Sequence, residues 1–257
     1  MSTRVVGDLV VEVDGNGPPL LLVHGLGGTS NTFSPQMEML TENFLVIRPD
    51  LPNAGRSGIM PPQTLREVAA RLNGVLDALE IPELAVVGHS MGTILCQCLI
   101  EMAPSRITRM ALLGPLQEPA EAGRKALRDR AALARGQGMA DVADTLIKGA
   151  LAAETRATQP STVAFVRESL MRQPAEGYAR LCEALADVQR VDPVRLTCPT
   201  LLVTGDQDAT SPVAAVEAFA ASLGGPARLT VLPACGHWAS VEHPHAVNVL
   251  LENFLSP

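Results

Sequence analysis

Aromatic side chains are scarce: Phe, Trp and Tyr make up 3% of the 257 residues, with a single Trp and a single Tyr. A core built from this chain must therefore rest on Leu, Val, Ile and Ala. A basic excess is also missing, since 20 Lys and Arg face 27 Asp and Glu for a net charge of -7. That balance excludes the phosphate-neutralising surface a nucleic-acid partner requires. No apolar run is long enough to cross a bilayer, and the opening Met1-Ser2-Thr3-Arg4-Val5 carries no apolar signal core. A cytoplasmic protein without a membrane partner is expected. Cysteines are few: Cys96, Cys98, Cys182, Cys198 and Cys235 are odd in number and form no C-x-x-C pair. A disulfide framework and a metal site are thus not expected, and a reducing compartment fits. What is abundant is aliphatic character. A hydrophobic fraction of 47% against 18% charged supports a large core and one compact domain with room for a small insertion.

Short apolar runs alternate with helical patterns. Leu20–Val23, Phe44–Ile47, Leu84–Val87, Met110–Leu113, Leu201–Val203 and Leu229–Leu232 read as strands. Most are continuously apolar, as strands of a parallel sheet covered on both faces must be. Val5–Val13 alternates more and contains Gly7-Asp8, which suggests an antiparallel hairpin or edge. Thr64–Leu79 places Leu65, Val68, Leu72, Val75, Leu76 and Leu79 near helical spacing, and Met91–Met102, Pro212–Leu223 and Pro244–Phe254 read as further helices. For the third of these, Ser211 is the expected N-cap and Pro212 the first helical residue. The alternation predicts a doubly wound, mostly parallel α/β sheet. Between about Gln117 and Val191 no strand pattern occurs. We divide the chain into a core (1–116 and 192–257) and a helical cap (117–191), expected to lie over the carboxyl edge of the sheet, where ligands bind.

The strand Leu84-Ala85-Val86-Val87 runs directly into Gly88-His89-Ser90-Met91-Gly92 and then Thr93-Ile94-Leu95. Strand, G-x-S-x-G, helix is the arrangement that lifts a serine above the sheet edge on a tight turn. Glycines flank it because the turn has no room for Cβ atoms, and the helix that follows points its positive end at a developing oxyanion. Serine needs an adjacent base. Of five histidines, His24 and His89 lie inside glycine turns and are expected to shape them, while His243 and His245 flank Pro244 at a helix start. His237 follows the strand Leu229–Leu232 through a short loop, which places it at the same sheet edge as Ser90. Asp206 and Asp208 both follow the strand Leu201–Val203 and either could orient His237.

In this order the chain resembles the α/β-hydrolase superfamily over nearly its whole length. The landmarks are His24-Gly25-Leu26-Gly27-Gly28, Asp50-Leu51-Pro52-Asn53-Ala54-Gly55-Arg56-Ser57, the Ser90 turn, Gly205-Asp206-Gln207-Asp208 and Gly236-His237-Trp238. The resemblance implies a triad of Ser90, Asp208 and His237, with Asp206 a turn former. It implies an oxyanion hole from the backbone N–H groups of Met91 and Leu26. His24, Gly25, Gly27, His89 and Trp238 become candidates for the substrate pocket, and Arg56 and Ser57 should end a loop that frames it. Two departures are Asn53, where glycine is commoner, and Thr93, where a third glycine is frequent.

A serine nucleophile points to acyl transfer to water, a small-molecule substrate and no cofactor. The segment from Pro174 to Leu185, running on to Cys198-Pro199-Thr200-Leu201-Leu202-Val203, is similar to 3-oxoadipate enol-lactonases. Gly236-His237-Trp238-Ala239 with Glu242-His243 is similar instead to hydrolases that cleave carbon–carbon bonds of ring-fission products. The longer similarity favours an ester or enol-lactone, with the carbon–carbon reaction as alternative and a non-catalytic ligand-binding member of the fold as a further one. A dicarboxylate substrate would call for a cation in the cap, with Arg124, Arg128, Arg167, Arg172 and Arg180 available. Oligomeric state is not encoded in any of these features.

Overall fold

A computed structural model describes residues 2–256. Eight strands form one sheet: β1 (Ser2–Val6), β2 (Leu9–Asp14), β3 (Pro19–Val23), β4 (Leu45–Pro49), β5 (Leu84–His89), β6 (Ile107–Leu113), β7 (Thr200–Gly205) and β8 (Ala227–Leu232). Their spatial order is β1-β2-β4-β3-β5-β6-β7-β8. The pairs β1–β2 and β2–β4 are antiparallel, and every later pair is parallel. The expected hairpin is therefore real, turning at Gly7 with φ 60°.

Continuous apolar strands produce two cores because successive side chains point to opposite faces. Leu21, Val23, Ile47, Val86, Met110, Leu112 and Leu202 pack on one face. Leu20, Leu22, Val46, Ala85, Val87, Ala111, Leu113, Leu201 and Val203 pack on the other. The helix Leu65–Ala78 lies on the first face, its start fixed by a reciprocal capping box of Thr64 and Glu67. The helix Met91–Met102 joins it there and is buried almost all round. The second face receives Val247, Leu251 and Leu255 from the helix Pro244–Leu255.

One N-cap expectation fails. The helix starts at Val213, so Pro212 is the cap residue and Ser211 lies outside it. The Ser211 hydroxyl instead donates to the Pro115 carbonyl at 2.5 Å. Competition from that long-range partner removed it from the local cap.

Between β6 and β7 the chain forms only helices, Glu121–Gln137, Met139–Ala150, Ala153–Thr158, Pro160–Met171 and Ala175–Ala186, and the short turn Pro193–Arg195. Leu127, Ala131, Val166, Leu170, Tyr178 and Cys182 of this insertion are buried in the same core as Met91 and Ile94. Among the described residues no helix is long and apolar enough to cross a membrane.

Candidate active site

Ser90 sits between β5 and the helix Met91–Met102 with φ 53° and ψ -121°. A non-glycine residue is strained in that conformation, so the surroundings must hold it. The Ser90 N–H donates to the Leu113 carbonyl at 2.9 Å, which ties the turn to β6. Thr93 adds two bonds to the Ser90 carbonyl, from its N–H at 2.8 Å and its hydroxyl at 2.6 Å. The same Thr93 hydroxyl accepts from the Leu116 N–H at 2.9 Å. The departure from glycine at 93 thus braces the Ser90 turn. The glycines have steric reasons too. A Cβ on Gly88 would stand 2.7 Å from the Gly92 carbonyl oxygen, and one on Gly92 would collide with that of Val23.

The loops that follow β3, β7 and β8 meet this turn at the carboxyl edge of the sheet. His237 Nε2 lies 2.7 Å from Ser90 Oγ. His237 Nδ1 lies 2.7 Å from Asp208 Oδ2. The other Asp208 oxygen accepts from the N–H groups of Thr210 at 2.9 Å and Ser211 at 2.8 Å. Burial pushes the Asp208 carboxyl up, but the His237 ring and these N–H donors outweigh it and hold the group below its ordinary value. An ionised Asp208 fixes the Nδ1 proton of His237 towards itself and leaves Nε2 to accept from the Ser90 hydroxyl. Asp206 has a different partner: it accepts from the Cys235 N–H, in the loop after β8, at 3.3 Å. Gly114, with φ 58°, clears space for the ring, since a Cβ there would stand 2.9 Å from His237 Cε1.

The histidines of the two glycine turns face away from the cavity. His24 accepts from the Leu51 N–H at 3.0 Å through Nε2 and keeps Nδ1 against its neighbour's carbonyl, Gly25 O, at 2.8 Å. His89 Nε2 meets the His237 carbonyl at 2.9 Å, and its ring stacks obliquely between those of His237 and Trp238, 5.2 and 5.0 Å away. As pocket-lining candidates both are corrected: each is a buried brace beneath the site. Gly25 and Gly27 act by what they lack. A Cβ on Gly25 would lie 2.8 Å from Ser90 Cβ, and one on Gly27 would run into Leu170 of the insertion. Arg56 and Ser57 are likewise corrected. Arg56 pairs with Asp50 at 2.8 Å and Glu12 at 2.9 Å, and Ser57 donates to the Asp50 carbonyl at 2.7 Å. They anchor the 50–57 loop to β2 rather than framing the cavity.

Burial pushes the His89 imidazole down to about 3, with the neighbouring His237 adding to the effect, and burial also lowers His24. Both rings are neutral in the fold, whereas the unfolded chain takes up protons near pH 6.5. The folded value of His89 is depressed, so its contribution is intact above about 6.5 and is lost as pH falls towards about 3. Unfolding free energy should therefore drop from neutral pH to pH 5, by up to about 1.4 kcal/mol per pH unit for each such group. Urea denaturation at several pH values reads this directly, and a flat midpoint across that range would contradict it.

Above Ser90 and His237 lies a cavity of about 520 Å³. Leu26, Ile94 and Trp238 line it from the core; Leu127, Arg130, Leu146, Leu170, Tyr178 and Leu185 line it from the insertion. The insertion therefore covers Ser90. Its five candidate cations are turned elsewhere. Arg128 pairs with Asp187, Arg167 with Asp144, Arg172 with Glu168 and Arg180 with Glu176, while Arg124 bonds the Ala186 carbonyl. The cation that does line the cavity is Arg130, which was not among the cations expected from the sequence. The signal was present: Gly123, Ala126, Leu127 and Arg130 recur at helical spacing, and all four line the cavity.

A model of the α/β hydrolase fold matches residues 18–244. The chain belongs to that family. This hydrolase is 29% identical over 237 residues, 91% of its length, to 3-oxoadipate enol-lactonase 2 of Acinetobacter baylyi, of which 87% is covered. It is 28% identical to pyrrolizixenacetamide deacetylase of Xenorhabdus hominickii, covering 99% of this chain and 98% of that one. Among solved structures, a thermophilic esterase from Thermogutta terrifontis superposes with a TM-score of 0.91 at 27% identity, covering 96% of this chain and 92% of the esterase.

Proposed function

We propose that this hydrolase cleaves small carboxylic esters or enol-lactones through an acyl-enzyme on Ser90. The observation that carries the reading is the continuous line of short contacts from Asp208 through His237 to the Ser90 hydroxyl. Ser90 Oγ attacks the carbonyl carbon as His237 Nε2 takes its proton, and Asp208 stabilises the imidazolium. The N–H groups of Leu26 and Met91 receive the oxyanion. Met91 opens a helix, so its N–H has no carbonyl behind it within that helix, and Gly25 brings the Leu26 loop against Ser90. His237 then gives its proton to the leaving oxygen, and the acyl-enzyme is hydrolysed by water activated by the same base. No metal or organic cofactor takes part in these steps. A cytoplasmic setting fits five free thiols.

The enol-lactonase and esterase names among the relatives favour this reaction. Of the residues that pointed towards carbon–carbon cleavage, Trp238 packs beside His89 where it lines the cavity, and Glu242 is fully engaged in hydrogen bonds. The test is stoichiometric labelling with a fluorophosphonate, read by intact mass and peptide mapping, beside a screen of aryl esters and enol-lactones. One phosphonyl group on Ser90 together with turnover of either substrate class is the expected result. Labelling without any ester or lactone turnover would overturn the substrate assignment, and no labelling would overturn the mechanism.

A further inference from the structure

We propose that Arg130 and the Tyr178 hydroxyl form a carboxylate-binding subsite in the roof of the cavity, so that the preferred ester or lactone carries an anion at the end of an apolar segment. The proposal rests on the hydrolytic reading above and names its substrate class. Two observations converge on it. Arg130 lines the cavity, and among the described residues no carboxylate of the chain stands within ion-pair distance of it, unlike Arg124, Arg128, Arg167, Arg172 and Arg180. The Tyr178 side chain is 1% exposed and lines the same cavity, yet its hydroxyl oxygen has no hydrogen-bond partner. Arg130 and the Cys182 thiol both stand close enough to act on that phenol, Arg130 favouring a negative charge there. A buried hydroxyl left without a partner is costly. A guanidinium is always charged and offers several donors but no acceptor. A guanidinium without a carboxylate partner at the cavity wall, beside a buried phenol, calls for an acceptor that brings a negative charge, and a carboxylate matches the planar fork of Arg130.

The remaining lining argues for what lies between. Glu118, the one acid at the cavity wall, is turned to Arg124 at 3.5 Å and accepts weakly from the Arg190 N–H at 3.4 Å, so it does not neutralise Arg130. Leu127, Leu146, Leu170 and Leu185 supply walls with no polar side-chain group. A substrate with polar atoms along its middle would leave them unpaired there, whereas a short methylene chain would be dehydrated at no such cost.

The experiment compares kcat/KM for 4-nitrophenyl hydrogen glutarate with that for 4-nitrophenyl butyrate. Wild type is expected to prefer the anionic ester. Arg130→Gln should lower the anionic-to-neutral ratio about tenfold or more, and Tyr178→Phe about threefold. Arg130→Lys, which keeps the charge but not the fork, should fall between wild type and Arg130→Gln. Arg128→Gln, on the same helix but paired with Asp187 on the surface, should leave the ratio unchanged. A wild-type preference for butyrate, or a ratio indifferent to Arg130→Gln, would overturn the subsite. A second readout does not depend on turnover. Trp238 is the single tryptophan of the chain and lines this cavity. In Ser90→Ala protein, N-butylglutaramate should change its emission saturably, and adding Arg130→Gln should weaken that binding. If neither ester is hydrolysed while this titration still depends on Arg130, the hydrolytic reading fails and the subsite stands. If the titration is indifferent to Arg130, the subsite fails whatever the activity.

Discussion

Ser90→Ala is expected to give a folded protein whose hydrolysis of 4-nitrophenyl butyrate is lower by about 10⁴–10⁶-fold in kcat. The Ser90 hydroxyl is the group whose proton His237 Nε2 is placed to take, at 2.7 Å. The neighbouring thiols offer no substitute, because burial pushes both Cys96 and Cys235 up and keeps them as thiols. The variant leaves the strain of the turn in place, since alanine dislikes φ 53° as much as serine does. Ser90→Gly should be equally inactive but more stable than Ser90→Ala, by about 1 kcal/mol once glycine's extra freedom in the unfolded chain is subtracted. Steady-state assays and thermal melts of the two variants separate the chemical role of the side chain from the conformational cost of its position. An alanine variant still turning over ester at the wild-type rate would remove Ser90 from the mechanism.

How much of the fold and site the amino-acid order reveals follows from locality. Continuous apolar runs mark strands buried on both faces. Four of the parallel strands begin one to three residues earlier than those runs suggest, because Pro19, Thr108, Arg109, Thr200 and Arg228 belong to the strands but lie outside the apolar runs. That Ser90, Asp208 and His237 come together was legible because each follows the end of a strand, and the topology of parallel strands carries all such ends to one edge. Groups whose partners are remote in sequence were not legible. Ser211 reads as a local cap but bonds Pro115, 96 positions away. Arg56 reads as a residue of the site but is drawn off by Glu12 and Asp50. Arg130 differs from the arginines around it only in which face of its helix it occupies. Glu242 could be read as part of a motif, but its role depends on two segments folding together around it.

Replacing that residue should have a large effect on stability. Glu242 is 2% exposed. One of its oxygens accepts from the Ala152 N–H at 2.8 Å, the Thr155 hydroxyl at 2.8 Å and the Gly236 N–H at 3.2 Å. The other accepts from the Trp238 N–H at 3.1 Å. Two of these donors flank His237, and two belong to the insertion. A further bond, from the His237 N–H to the Ala150 carbonyl at 2.7 Å, joins the same segments. Glu242 therefore fastens the loop carrying His237 to the insertion covering Ser90. Glu242→Ala strands four buried donors, each costing on the order of 1–3 kcal/mol when unsatisfied, though relaxation and water entry should limit the total to about 3–5 kcal/mol. Glu242→Gln keeps the shape but can present only one acceptor oxygen. If that oxygen faces the three donors, its amide opposes the Trp238 N–H, and about half the loss is expected. Because His237 sits between two of the bonds, the glutamine variant should also lose kcat while KM for a neutral ester stays near wild type. Urea denaturation and steady-state kinetics of this variant decide the matter: a loss of stability with unchanged kcat would make Glu242 a fastening of the insertion alone, whereas loss of both shows that the insertion and the base share one support.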